Sequence, residues 1–191
     1  ISSTATCGLL LVDGITALLG GTGQINLTAS AGLQVGNGTT LTLQQDKSIN
    51  GNIILSASSS FIELGTFQLE VSGTISGGGS TSFIRTAGTG SLVLENVGGS
   101  GKLFPVGHSR YNPVLIENGS GHSWNVRVND GVVPDIPYTT DGAVLLTWYI
   151  QPVVNPPVSG ADITFRFDQV NQTGSLFTTL PFDTEPVQAW H

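Results

Sequence analysis

From Gln24 to Glu95 the chain runs as short alternating segments: QINLTA, LQVG, TLTLQ, NIIL, FIELG, FQLEV, GTISG, SFIRT and SLVLE. Each is a few residues long, sets an apolar side chain at every second position, and closes on Gly, Asn or Ser. Alternation of period two between turn formers is the mark of half-buried strands. No segment carries a sustained 3.6-residue apolar period behind a capping residue. Leu9 to Leu19 (LLLVDGITALL) comes nearest, but Gly14 and the β-branched neighbours oppose a helix, so two short strands are expected there. The predicted class is all-β.

Two stretches repeat. LQVGNGTTLTLQQDKSINGNI (Leu33 to Ile53) aligns with IELGTFQLEVSGTI (Ile62 to Ile75) once the second is shortened. Leu33/Val35 then match Ile62/Leu64, Leu41/Leu43 match Leu69/Val71, and the INGNI ending matches VSGTI. An imperfect strand–turn–strand repeat points to an irregular β-solenoid, or β-helix, whose coils stack and bury one apolar row; a flattened sandwich is the competing geometry. After Gly101 the texture changes. None of the first hundred residues is proline, whereas seven of the nine prolines lie at or beyond Pro134. Proline is excluded from central ladders. PVLIE, SWNVRVN, AVLLTWYIQP, ADITFRFD, SLFTT and VQAW read as strands, with Trp124, Val126 and Val128 sharing one face and Ile163, Phe165 and Phe167 another. The expectation is a solenoid over 1–104 joined to an immunoglobulin-like β-sandwich over 105–191, whose closing strand is expected beyond VQAWH, which stops in mid-strand.

Composition narrows the function. The 191 residues include 26 glycines, only 10% charged residues and 39% apolar residues, which suits a folded, turn-rich β protein. The net charge of −7 and the lack of a basic stripe argue against nucleic acid as a partner. The apolar run at the start is too short to span a bilayer, and Asp13 interrupts it, so neither membrane insertion nor a signal peptide is expected. Cys7 stands alone and is read as a buried thiol, with an intermolecular disulfide as the rival. Methionine is absent even at position 1, as in a processed product or an excised piece.

The residues GTISGGGSTSFIRTAGTGSLVLENVGGSGKLFPVGHSRYNPVLIENGSGHSWNVRVNDG, followed by LTWYIQP, carry a family resemblance. The order G-x-I-S-G, S-F-I-x-T-x-G-x-G-x-L, F-P-V-G, Y-x-P-V-x-I, V-R-V-x-D-G and T-W-x-I resembles the recurring module of adhesin-like surface proteins exported by the type IX secretion system of gliding-type Gram-negative bacteria. The resemblance runs from about Gly51 to the end. It departs where GAVLLTW lacks the basic residue usual before T-W. It implies a secreted, cell-surface, non-catalytic segment of a longer protein and names no ligand.

The candidate chemistry is sparse. His108 and Arg110 fall on the loop after Phe104-Pro105-Val106-Gly107, where Phe104 is expected to plug the first core and Pro105 to stop its ladder. His108 and His122 are read as solvated loop histidines. A polysaccharide-degrading β-helix enzyme would need carboxylates from adjacent coils, for which Asp46, Glu63, Glu70 and Glu95 are available with Lys47 and Arg85; their plainer role is solubilising charge. No cofactor is expected. Calcium is the alternative, because Asp130, Asp135 and Asp141 cluster in the oxygen-rich loop NDGVVPDIPYTTDG, although Asp-Gly pairs are ordinary turn formers and the spacing is not that of an EF-hand. Sequons at Asn26, Asn37, Asn118 and Asn171 are at chance frequency in so Ser/Thr-rich a chain. A carbohydrate-binding module is the other alternative, needing aromatics such as Tyr111, Tyr138 or Tyr149 on one exposed face, whereas Trp124, Trp148 and Trp190 are expected in the core. The preferred reading is a structural adhesion or filament module. It would self-associate by β-strand addition, with Leu9, Leu11 and Ile15 filling pockets on a neighbouring copy and surface glycans as further partners. The competing role for Leu9 to Leu19 is to cap its own solenoid.

Overall fold

A computed structural model describes residues 5–21, 25–56, 58–132, 143–153, 160–168 and 170–174. Among them are seventeen strands and no helix: β1 (Ala5–Val12), β2 (Thr16–Leu19), β3 (Ile25–Val35), β4 (Thr40–Leu43), β5 (Lys47–Asn50), β6 (Ile53–Leu55), β7 (Ser60–Glu63), β8 (Gln68–Val71), β9 (Ile75–Ser76), β10 (Ser82–Arg85), β11 (Ser91–Val97), β12 (Lys102–Phe104), β13 (Val106–Gly107), β14 (Val114–Glu117), β15 (His122–Asp130), β16 (Leu146–Pro152) and β17 (Asp162–Phe165).

The strands β1 to β11 wind into a three-sided β-solenoid of about four coils, all of its pairings parallel. One side stacks the C-terminal half of β1 on that of β3, then β6 and β9. The second stacks β2, β4, β7, β10 and β13. The third carries the N-terminal halves of β1 and β3, then β5, β8 and β11. β1 and β3 serve two sides because each runs through a corner, marked between them by a register shift after Cys7.

Parallel strands in register keep the same side-chain parity, so each inward position repeats as a column. Leu33 and Ile53 head one such column, Leu41, Ile62, Ile84 and Val106 fill another, and Ile49, Val71 and Leu94 a third; all are essentially inaccessible to solvent. Polar side chains at the corners repeat with the same step. The Asn52 amide oxygen accepts from the Thr74 N–H at 2.9 Å, Ser72 Oγ donates to Asn50 Oδ1 at 2.9 Å, and Asp46 Oδ1 accepts from the Gln68 N–H at 2.9 Å, each pair 22 residues apart. Two buried hydroxyls, Ser60 and Ser82, lie within hydrogen-bond distance of each other and of the Ser56 carbonyl, so each has an acceptor for its single proton.

That step corrects the internal alignment read from the sequence. The INGNI and VSGTI segments do stack, with Ile49 on Val71 and Ile53 on Ile75. Leu33 and Val35, however, pair with Ile53 and Leu55, and Leu41 pairs with Ile62, not with Leu69. All three sides of the coil use the same short alternating pattern, so text alignment can slide one side onto another. Corner geometry is less forgiving. Gly77 has φ +81°, and a Cβ on it would lie 1.8 Å from the Leu55 carbonyl oxygen of the coil below. No side chain fits there.

Beyond β11 the pairings are antiparallel except for that of β13, which stays parallel on β10. β15 pairs with β11 and β16 with β15, extending the third side, while β12, β14 and β17 form a separate antiparallel sheet. Trp148 of β16 meets Phe165 of β17 with ring centroids 5.0 Å apart. Phe104 is fully buried, but the ladder does not stop at Pro105. Its carbonyl accepts from Ile84, and Val106–Gly107 pair with β10 as another rung of the second side. One apolar cluster runs from Leu27 through Phe104 and Val114 to Trp124, Val126, Val128 and Leu146, with no gap at residue 104. The predicted sandwich strands at 175–179 and 187–190 lie outside the described residues.

Candidate functional site

The first coil is where apolar sequence and open backbone coincide. β1 pairs only with β3, and β2 only with β4, so among the described residues the other edge of each strand carries no partner. Alternation sends Leu10, Val12, Ala17 and Leu19 inward, where they pack on the core. The opposite parity points out. Leu9 is 47% exposed, Leu11 53%, Leu18 62%, and Ile15 in the intervening turn 89%. That turn is held: the Gly14 N–H donates to Thr39 Oγ1 at 3.0 Å, and the Val12 carbonyl accepts from the Gly36 N–H at 2.8 Å.

Leu9, Leu11 and Ile15, the residues expected to mediate assembly, are thus brought to one exposed rim. The segment is also the first coil of the solenoid among the described residues, so the two roles weighed for it share one structure. Leu18 was missed, although the alternation TALL, with Ala17 and Leu19 inward, marks it as outward.

Behind this rim stands Lys47. It occupies an inward position in register with Leu69 and Leu92, is only 5% exposed, and its ammonium donates to the Gly21 carbonyl. Its methylene stem fills the core while its head reaches a carbonyl near the rim. It is therefore not the outward group that a lyase-like site would use.

The other candidates scatter. Glu63 on β7 pairs with Arg85 at 2.7 Å, and that guanidinium also lies 3.6 Å over the Phe61 ring. Glu70 sits on β8, on a different side of the coil, so the two glutamates are not juxtaposed. Asp46 is engaged with the Gln68 N–H. Glu95 acts electrostatically on Lys102, whose burial lowers its pKa more than that carboxylate raises it. His108 is not a partnerless loop histidine: its Nδ1 accepts the Asp130 N–H at 2.8 Å and lies 3.8 Å from the Asp130 carboxylate. His122 begins β15. Of the calcium candidates, Asp130 ends β15, and Asp135 and Asp141 lie outside the described residues. No group of three or more His, Cys, Asp or Glu side chains able to hold a metal occurs among the described residues.

The aromatics divide as follows. Trp124 is buried, its Nε1 donating to the Gly119 carbonyl at 3.2 Å. Trp148 is half-buried, and among the described residues its Nε1 has no partner. Tyr111 is tilted against Phe83 at 6.0 Å, and burial raises its phenol pKa despite nearby Arg166. Tyr149 is exposed, and Tyr138 and Trp190 lie outside the described residues.

Comparisons with protein-family models, with curated proteins and with solved structures find no match to this chain.

Proposed function

We propose that the chain is a non-catalytic structural module of an adhesin-like surface protein or cell-surface filament, joined to a neighbouring copy through its first coil. The observation that carries this reading is the coincidence, on β1, β2 and the turn between them, of ladder edges unpaired among the described residues with four exposed apolar side chains, Leu9, Leu11, Ile15 and Leu18. An open, apolar strand edge in water is a template for β-addition. Covering such side chains contributes roughly 25 cal/mol per Å² of apolar surface removed from water.

The occupant is argued from the chain itself. The surface that complements a coil edge is another coil edge, with equal side lengths and corners at the same places, and this molecule consists of such coils stacked by parallel pairing. The extracellular setting is supported by the motif series running through Gly73–Gly131 and LTWYIQP. A structural rather than catalytic role is supported by the dispersal of the carboxylates over different sides of the coil.

Sedimentation and negative-stain microscopy of the full chain, beside the L9T/L11T/I15T/L18T variant, test the proposal. Concentration-dependent head-to-tail assemblies are expected for the parent, and a folded monomer with an unchanged unfolding midpoint for the variant. A parent that stays monomeric at millimolar concentration, or a variant that assembles equally well, overturns it.

A further inference from the structure

At the opposite end of the sheet from the first coil, a shallow cavity of about 210 Å³ opens on the outer face, lined by Thr89, Ser91, Asn125, Arg127, Tyr149 and Gln151. Strand register assembles it. Asn125 faces Gln151 and Arg127 faces Tyr149 across the antiparallel β15–β16 pair, so alternation places all four on one side.

Arg127 is fixed there without a counter-charge. Its guanidinium carbon lies 3.6 Å from the Tyr149 ring centroid. Its Nη1 donates to the Gly88 carbonyl at 3.3 Å and, with the Asn129 amide turned to satisfy its own neighbours, to Asn129 Oδ1 at 3.0 Å. Its remaining donors have no protein partner among the described residues. Arg85 and Arg110, by contrast, pair with Glu63 and Asp168. In a chain of net charge −7, an arginine held in place with no acidic partner among the described residues, in a cavity of amides and hydroxyls, is built to receive a carboxylate.

We propose that this cavity binds one uronate residue of a glycan. The carboxylate lies on Arg127, the ring hydroxyls lie on Asn125, Gln151 and Ser91, and Tyr149 holds the guanidinium from its ring face. The volume is below the roughly 300–1,000 Å³ of sites that enclose larger ligands, which fits a single sugar ring. The protein's negative charge repels a polyuronate, so the uronate sits on an otherwise neutral glycan. This inference is independent of the coil-edge contact and survives its failure.

The probes are methyl β-glucuronoside, methyl β-glucoside and acetate, titrated into the full chain and followed by amide chemical shifts at Asn125, Arg127 and Gln151. Millimolar binding of the glucuronoside, at least tenfold tighter than that of the other two, is expected. R127Q should abolish it, R127K should weaken it about tenfold for want of the planar fork, and Y149F should retain it while Y149A does not. The unfolding midpoint of each variant serves as the fold control. Equal binding of glucoside and glucuronoside, no binding of either, or unchanged binding by folded R127Q overturns the proposal. Acetate as strong as the glucuronoside reduces the site to a bare anion hole and overturns it as well. Tighter binding of oligogalacturonate than of the single uronide overturns the one-residue site.

Discussion

The first and fourth coils are made of the same strand pattern and end in opposite ways. In the fourth, Leu92, Val93, Leu94 and Val97 of β11 are all fully buried, and β15 lies antiparallel against them, bringing Trp124, Val126 and Val128. In the first, the inward residues of β1 and β2 are only partly covered and their outward neighbours are exposed. A parallel coil laid on another regenerates the edge it covers, so stacking alone never finishes a solenoid. Reversal of chain direction covers the third side, where β15 and β16 lie over β11, while among the described residues β9 and β13 end the other two sides with no further strand paired to them. The fourth coil has such a reversal and the first has none among the described residues. That difference, more than hydrophobicity itself, is what the proposed joint at the first coil rests on.

A matched pair of glycines tests this contrast most severely. Gly77, which follows β9 of the fourth coil, has φ +81°, and Gly21 in the first has φ +79°. Both backbones strain an alanine by about 1–2 kcal/mol. Gly77 adds a Cβ 1.8 Å from the Leu55 carbonyl oxygen, whereas among the described residues nothing lies within 4 Å of a Cβ at Gly21. Urea unfolding should show G77A destabilised by more than ~3 kcal/mol or failing to fold, and G21A by no more than its backbone strain. Equal losses would mean that the first coil is packed as tightly as the fourth.

The next largest effect lies in the closed half. Asn112 and Gln172 are both buried and exchange amide hydrogen bonds, Asn112 Nδ2 donating to Gln172 Oε1 at 2.6 Å and Gln172 Nε2 to Asn112 Oδ1 at 3.0 Å. The Asp168 N–H also donates to Gln172 Oε1, at 2.8 Å, tying the 168–174 segment to the end of the solenoid. N112L strands a buried amide and should cost about 1–3 kcal/mol, part of which Q172L restores in the double variant. Additive losses in that cycle would show that the two amides act separately.

A smaller effect is expected at Arg85, which bridges successive coils through Glu63 and the Phe61 ring. Its side chain is about a third exposed, so R85A should cost on the order of 0.5–1.5 kcal/mol, with the ionic part falling as salt rises. A salt-independent loss would assign the whole effect to the ring contact.

How much of this the sequence discloses follows from range. Alternation is local, so the all-β class, the strands of Leu9–Leu19 and the faces of Trp124, Val126 and Val128 can be read directly. The exposed rim is nearly legible too, since parity alone divides Leu9 and Leu11 from Leu10 and Val12. Coil register is not, because Leu33–Val35 and Leu41–Leu43 have interchangeable patterns on different sides of one coil. Least legible are contacts set by three-dimensional closure. His108 meets Asp130 because the loop after β13 lies beside the end of β15, and Arg127 meets Tyr149 through a pairing register that no local signal reports.

The smallest expected effect is a dependence on pH, and it belongs to the closed half alone. The Asn171 side-chain amide donates to Asp168 Oδ2 at 2.6 Å, the Val170 N–H donates to Oδ1 at 3.0 Å, and Arg110 lies 3.3 Å away. Chiefly through the Asn171 bond, these hold the Asp168 carboxyl below its ordinary value. A folded-state value below the unfolded one means that the unfolded chain takes up the proton first on acidification. The contribution is therefore complete above the unfolded aspartate value of about 4, and drains away as the pH falls through it towards the folded value. Because the group is exposed, the effect is a shallow limb rather than a cliff. Unfolding midpoints measured from pH 6 to pH 2 should fall more steeply for the parent than for D168N, which carries no charge to lose, and the two curves should converge at the acid end. Parallel curves would remove Asp168 from the account of how this end is held.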